Sequence, residues 1–257
     1  MKPSKQFVKF RSAPEIIRLA SKAHEAWIEP DAFLRYFPAL QWIKRNANHE
    51  TRILEVGSGD FGISTYTSAP IVKTDLAFSK AKNADQKVIA NAAFLPFRHN
   101  AFDLVLAVDL LEHVPHSQRF AIILELIRTS KQSAIIVFPS GEKALESDKN
   151  IMNQFRKRAK RPLPILEAHL EFSFPNSSEV REWISELQKS GFKCRSENSF
   201  NLFWRKQLAM GWLQKNKCAR FLAERIIQSS LLRNLINFGN CYRQFLLIEK
   251  AEAHNNR

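Results

Sequence analysis

The ten residues Ile53-Leu54-Glu55-Val56-Gly57-Ser58-Gly59-Asp60-Phe61-Gly62 constrain this chain more than any others. A short apolar run carrying one acid is followed by three glycines at GxGxxG spacing. The pattern predicts a buried strand that stops, turns sharply on residues lacking Cβ, and enters a helix. Backbone can approach a ligand closely at such a turn, and free N–H groups point out of the helix start. An adenosine-bearing cofactor is the ligand expected there.

The segments that follow repeat the rhythm of the first. Ile53–Val56, Ile71–Thr74, Val88–Ala90, Leu104–Val108 and Ala134–Phe138 read as short buried strands separated by helical or loop material. Such alternation gives a mostly parallel sheet with helices on both faces. Ser117 is placed to cap a helix whose apolar residues Phe120, Ile123, Leu124 and Ile127 follow helical spacing. A second helix begins after Pro175. Asn176 and Glu179 form a capping box, Val180, Trp183, Ile184 and Leu187 make its apolar face, and Gly191 ends it. Phe192–Arg195 and Gln244–Glu249 supply two last strands. The expected class is α/β: a Rossmann-like, doubly wound, seven-strand, mostly parallel sheet with a helical insertion before the last strand. Residues 1–50 are read as an N-terminal helical cap, 51–140 as the cofactor-binding core, 141–165 as a basic inserted loop, and 166–257 as the rest of the sheet with an insertion over 200–238.

The positive charge is unevenly spread. Residues 1–150 carry 20 Lys and Arg against 16 Asp and Glu, whereas residues 151–257 carry 19 against 9. The first part reads as a near-neutral enzyme core, and the excess favours polyanionic surroundings without choosing among phosphate-bearing substrates, anionic lipid and nucleic acid. The run Arg156-Lys157-Arg158-Ala159-Lys160-Arg161 lies in the inserted loop, and residues 200–238 interleave Trp, Phe and Leu with Lys and Arg as basic amphipathic helices. That insertion reads first as a lid, then as an anionic membrane or lipid-substrate contact, then as a dimer contact. Neither a leader nor a membrane span is expected, and the widely separated Cys194, Cys218 and Cys241 suit neither zinc nor a disulfide framework. A cytoplasmic protein, peripheral at a membrane if anything, is the expectation; the oligomeric state is not legible.

A glycine turn alone does not choose among nicotinamide, flavin and sulfonium cofactors. Asp75 ends the second strand, where a carboxylate can accept both ribose hydroxyl protons. Glu55, two residues before the first glycine, would repel a pyrophosphate and suits a cationic cofactor better. No Tyr-x-x-x-Lys dehydrogenase pair exists, since Tyr66 is followed four later by Pro70 and Tyr242 by Leu246.

Further on, Ala90-Asn91-Ala92-Ala93-Phe94-Leu95-Pro96-Phe97 leads to Phe102-Asp103-Leu104-Val105 and then Val108-Asp109-Leu110-Leu111-Glu112-His113-Val114-Pro115. With the glycine segment, these residues resemble the class I S-adenosylmethionine-dependent methyltransferases, in particular the ubiquinone/menaquinone-biosynthesis branch, over about residues 51–140. The resemblance implies a seven-strand sheet with a reversed final hairpin, in which Cys241–Lys250 would be the inserted edge member. It implies S-adenosyl-L-methionine as cofactor and no metal. Glu55, Gly57, Ser58 and Gly59 would line the methionine end, Asp75 would hold the ribose, and Asn91 with Ala92 would meet the adenine. Asp109 and Leu110 would flank the methyl group and the acceptor entrance. Asn91 stands where an aspartate is usual, and an amide oxygen can still accept from the adenine amino group.

Methyl transfer from a sulfonium is an in-line displacement, so the protein mainly has to position two reactants in dry surroundings. A base is needed only for a hydroxyl acceptor, and Asp109 or His113 would be the candidates. Glu112 and His113 otherwise read as residues that hold a loop. Phe33, Tyr36, Phe37, Trp42 and Ile43, with the 200–238 insertion, would close over a small-molecule, lipid or glycan acceptor. Asp109-Leu110-Leu111-Glu112 stands where nucleobase amine methyltransferases carry Asn/Asp-Pro-Pro-Tyr/Phe, which argues against that chemistry. Two other readings remain: a non-catalytic binding or scaffold protein on this fold, and an RNA-modifying methyltransferase.

Overall fold

A computed structural model describes residues 29–60, 62–78, 86–159, 171–213 and 237–250, with isolated positions 218, 221–222, 225 and 229. Seven strands form one sheet: β1 (Ile53–Val56), β2 (Ile71–Asp75), β3 (Gln86–Ile89), β4 (Phe102–Val108), β5 (Ser130–Pro139), β6 (Lys193–Asn201) and β7 (Cys241–Glu249), in the order β3-β2-β1-β4-β5-β7-β6. The first five are mutually parallel, and β7 runs antiparallel to both β5 and β6. The doubly wound sheet predicted from the apolar runs is therefore present. Its last strand is inserted between β5 and β6, so β6 forms the edge and the expectation of an edge position for Cys241–Lys250 is corrected.

Strand alternation sorts the core onto two faces. Ile53, Leu104, Leu106, Val108, Ile135 and Val137 face α1 (Glu29–Asn46), whose Phe33, Leu34, Ala39, Leu40 and Ile43 are buried against them. Trp42 Nε1 donates to Ser133 Oγ at 3.0 Å, which satisfies an indole N–H that burial would otherwise strand. Leu54, Val56, Val105, Ala107, Ala134, Ile136 and Phe138 face the other way, toward α2 (His116–Thr129) and α4 (Ser177–Lys189). Each such aliphatic side chain contributes about 1.5–3 kcal/mol on burial. The β1, β4 and β5 runs read as continuously apolar because both of their faces are covered.

Several local expectations changed. Ser117 does not cap α2; Pro115 precedes the helix and no side chain caps it. Asn176 does cap α4, accepting from the N–H groups of Ser178 and Glu179 at 3.0 Å each. Glu179 leaves the capping box for Arg119, whose Nη1 lies 3.1 Å from Glu179 Oε2, both side chains being buried. Gly191 ends the helix with φ near +85°, a conformation that suits a residue without Cβ. The segment after β5, read as a loop or short helix, is an 18-residue helix, α3 (Glu142–Ala159), packed against α5 (Leu202–Leu213) through Ile151, Met152, Phe155 and Ala209. Arg156 and Lys157 are exposed at its end, as a solvated basic run requires. Lys160 and Arg161 of that run, and most of 214–236, lie outside the described residues.

Candidate cofactor and acceptor site

The turn after β1 is pinned from three sides. Gly57 and Ser58 donate to the Thr74 carbonyl at 2.8 and 3.3 Å, which fixes the turn to the end of β2. Gly59 donates to Asp75 Oδ2 at 2.8 Å. Lys87 Nζ reaches Asp60 Oδ1 at 2.9 Å, and the buried Lys73 reaches the Asp60 carbonyl at 3.4 Å. Gly57 and Gly59 have φ of +72° and +54°, so glycine is what lets the turn form. A Cβ on Gly57 would meet Leu110 Cδ1 at 2.9 Å, whereas one on Gly59 would meet nothing within 4 Å. Gly57 is thus the contact between the first and fourth strand ends, and Gly59 borders open space where a ligand can approach.

The turn does not enter a full helix. It feeds the three-residue 3-10 turn Ile63–Thr65, so the expected helix N-terminus is corrected. The Glu55 carboxylate occupies that place, accepting the Ile63 N–H at 2.9 and 3.1 Å. Glu55 is buried, and desolvation pushes its pKa up to about 7 against the opposing effects of the Ile63 N–H, Lys73, a hydrogen bond with Tyr36 and Arg35. A Cβ on Gly62 would fall 2.1 Å from Glu55 Oε2, so the third glycine of the motif is demanded by the acid. Glu55, expected to line the methionine end, shapes that end from beneath.

At the ends of β2 and β3, Asp75 is partly exposed. Besides Gly59 it accepts the Leu76 N–H at 2.7 Å on Oδ1, and lone pairs remain on both oxygens. Asn91 is exposed, and its Oδ1 accepts the Ala93 N–H at 2.9 Å, so its oxygen holds the loop that carries Ala92. Leu76, Ile89 and Phe94 are 72%, 72% and 80% exposed. Three bare apolar side chains beside a carboxylate and an amide make a surface on which a flat base can lie, and sequence reasoning did not single them out. The available signal, for Leu76 alone, was an apolar residue directly after the strand-end carboxylate.

At the end of β4 the arrangement differs from expectation. Asp109 adopts φ near +52° and its carboxylate is enclosed by two guanidinium groups. Arg35 Nη1 of α1 donates to Oδ2 at 2.9 Å, while Arg243 of β7 donates from Nε to Oδ1 at 3.0 Å and from Nη2 to Oδ2 at 2.7 Å. The two cations outweigh desolvation and hold this carboxyl well below the usual carboxylate range. It is a poor proton acceptor at any ordinary pH, so the expected base role of Asp109 gives way to a positioning one. Leu110 packs against Gly57. His113, the other base candidate, is exposed on the 3-10 turn Leu111–His113.

Both partners of the Asp109 carboxylate were missed, and the enclosure of Glu112, read as a residue that holds a loop, was not foreseen. Arg35 and Arg243 stand 74 and 134 positions from Asp109 in sequence, and only the isolated cation in an otherwise apolar strand hinted at Arg243. Glu112 is 0% exposed with both carboxyl oxygens lacking a hydrogen-bond partner, and desolvation together with Asp109 raises its pKa well above the ordinary range.

The neighbour of Arg243 anchors a second buried cluster. Tyr242 Oη donates to Asp148 Oδ2 at 2.7 Å, Arg205 Nη2 lies 2.8 Å from Asp148 Oδ1, and the Arg205 guanidinium stacks 3.4 Å from the Tyr242 ring centre. α3, α5 and β7 are joined by this cluster. Among the described residues there is no group of three or more metal-ligating side chains, and no helix long and apolar enough to cross a membrane.

Residues 51–138 match the family described as a methyltransferase domain. Norajmaline N-methyltransferase of Rauvolfia serpentina is 30% identical over 95 residues, covering 32% of this chain and 32% of that protein. The chain therefore spans about a third of the length of the curated relatives it matches. Among solved structures, the plantazolicin methyltransferase BpumL in complex with S-adenosylhomocysteine has 13% identity, covering 93% of this chain and 90% of its own, with a TM-score of 0.53. A possible histamine N-methyltransferase from Thermotoga maritima has 16% identity, covering 92% and 99%, with a TM-score of 0.51. At these identities the likeness establishes the fold, a Rossmann-like methyltransferase sheet, with S-adenosylhomocysteine bound in the first of the two.

Proposed function

We propose that this chain is an S-adenosyl-L-methionine-dependent methyltransferase acting on a small-molecule, lipid or glycan acceptor. The observation that carries the reading is the glycine turn held open at Gly59 between Asp75 and the strand ends, inside the segment that matches the methyltransferase domain. Gly57, Ser58 and Gly59 would take the methionine end, Asp75 the ribose hydroxyls, and Asn91 and Ala92 the adenine against Leu76, Ile89 and Phe94. The cofactor's sulfonium supplies an already activated methyl group.

The residues around it then have three tasks: to exclude water, to orient the acceptor, and to keep charges matched. α1 performs the first by burying Phe33, Tyr36 and Leu40 over the ends of β1 and β4. The Arg35–Asp109–Arg243 group fixes α1 to β4 and β7 at the edge where an acceptor enters. With Asp109 ionised and paired and His113 in solvent, the reading that fits is transfer without a strong protein base, in which position supplies most of the rate enhancement.

The finer likeness to the ubiquinone/menaquinone-biosynthesis branch belongs to this proposal, as does a peripheral contact with anionic membrane through the basic 200–238 insertion. Exposed Phe203 on α5 and exposed Arg156 and Lys157 on α3 support the latter. Calorimetry with S-adenosylmethionine and S-adenosylhomocysteine tests the enzyme reading. Micromolar binding of both is expected, and absence of binding at millimolar concentration favours the scaffold alternative. Flotation with anionic vesicles at low salt tests the membrane contact.

A further inference from the structure

The side chains at the end of β4 leave two polar groups unmatched in one place. Arg35 spends Nη1 on Asp109, and its Nε–H is buried without an acceptor. Glu112, three residues after Asp109 on the 3-10 turn, is fully enclosed, and neither carboxyl oxygen has a partner. A buried polar group without a partner costs free energy, and native proteins keep such groups mainly where a ligand or water completes them. Both groups adjoin the same Asp109 carboxylate.

The local charge indicates what would complete them. Arg35 and Arg243 face Asp109, and Tyr36 and Tyr66 also face Arg35. Beyond Tyr36, Glu55 lies opposite the buried Lys73, and those two offset each other. Glu112 beside the ionised Asp109 stays neutral, as one of two neighbouring buried carboxyls must. The cluster therefore holds at least one uncompensated positive charge, and each unmatched side chain offers a donor: a guanidinium N–H and a carboxylic acid O–H.

Building on the methyltransferase reading, we propose that Arg35 Nε and Glu112 form the acceptor-recognition contact and that they take a monoanionic oxygen group, a carboxylate or phenolate, carried by the acceptor. An anion there offsets the excess charge and accepts from both donors, whereas an ammonium group would add a further positive charge beside two guanidinium groups and meet only the carbonyl oxygen of neutral Glu112. Arg35 comes from α1 and Glu112 from the turn after β4, so the contact forms only when α1 lies over the sheet. Acceptor recognition and exclusion of water then depend on the same helix.

The test is calorimetric titration of benzoate, with benzylamine as its cationic counterpart, into the full chain saturated with S-adenosylhomocysteine. Benzoate is expected to bind with one site per chain and benzylamine not at all. Glu112→Leu removes an unpartnered buried acid, so the variant should fold at least as stably as the parent while binding benzoate about tenfold or more weakly. Glu112→Gln retains a donor and should stay within about threefold of the parent. The proposal is overturned if the chain binds S-adenosylhomocysteine but not benzoate, if benzylamine binds as well as benzoate, or if Glu112→Leu binds benzoate unchanged, the result expected where water alone completes the acid. Failure to bind S-adenosylhomocysteine overturns the methyltransferase reading beneath it, and the two failures are read separately in the same cell.

Discussion

Replacing Asp109 by Asn separates two roles that a carboxylate at the end of β4 can play. Asn is nearly isosteric and tolerates the left-handed backbone at this position, where φ is near +52°, so the change removes charge without adding backbone strain. Arg35 and Arg243 would then face each other across a neutral amide, with the Arg243 side chain almost wholly buried. Removing one partner of a buried ion pair costs about 3–5 kcal/mol, and since an amide oxygen retains one hydrogen bond, about 3 kcal/mol is the expected loss. For a chain of this size that lowers the unfolding midpoint by roughly 6–12 °C. Thermal unfolding followed by circular dichroism measures it, with S-adenosylhomocysteine titration of the folded variant in parallel. The pH dependence should agree. The folded-state pKa of Asp109 lies below its unfolded value of 3.8, so its stabilisation is present above about pH 4 and is lost as pH falls further; the variant should lack that acid-side component. A variant as stable as the parent but without methyl transfer would refute the reasoning and restore Asp109 as a base.

Glu55 titrates in the opposite sense. Its folded-state pKa of about 7 lies above the ordinary 4.5, so its contribution is greatest below pH 4.5 and falls away by something on the order of 3 kcal/mol as pH rises through 7; Glu55→Gln, measured by urea unfolding at pH 5 and pH 8, should flatten that difference. Gly62→Ala should cost about 2–4 kcal/mol because its Cβ collides with the Glu55 carboxylate, whereas Gly59→Ala should cost only about 1–2 kcal/mol yet sharply weaken S-adenosylhomocysteine binding, since its methyl group points into open space. Equal effects of the two glycine variants on stability would contradict the geometry. Arg119→Met should destabilise the chain by about 3–5 kcal/mol in denaturant melts, and adding Glu179→Leu should recover part of it by removing the carboxylate left buried without its partner, while the Leu111, Val114 and Ser173 carbonyls stay without their donor.

What the sequence disclosed and what it hid follow from the range of the interactions involved. β1 was legible to the residue because four buried positions in a row, followed by glycine, have few other solutions. α3 was read only as a loop or short helix because its apolar stripe is narrow, and Asp148 stands within it; the charge belongs there only because Arg205 and Tyr242 arrive from elsewhere. Asp75 was read correctly as a strand-end carboxylate, since its partners Gly59 and Leu76 come from the adjacent turn and the next residue. Asp109 was assigned to the right place with the wrong neighbours. Its character is set by Arg35 and Arg243, and no local pattern relates a cation in the first helix to one in the last strand. Glu112 passed as a loop residue because desolvation, which defines its chemistry, is not a property of the letters around it.

The antiparallel course of β7 presents Tyr242 and Arg243 to opposite faces, the first bound to α3 and α5, the second to Asp109 and through it to α1. Synthesis therefore leaves the surroundings of Asp109 unfinished until β7 emerges. The parallel core and its nucleotide turn can assemble as they emerge, but Asp109 waits 134 residues for its bidentate partner, and the outer helix pair waits for the neighbouring tyrosine. A chain that has not yet reached β7 would hold the glycine turn and leave Asp109 with Arg35 as its one guanidinium partner among the described residues. The surroundings of Asp109 are thus completed in one late step, when β7 pairs with β5 and carries β6 onto the sheet.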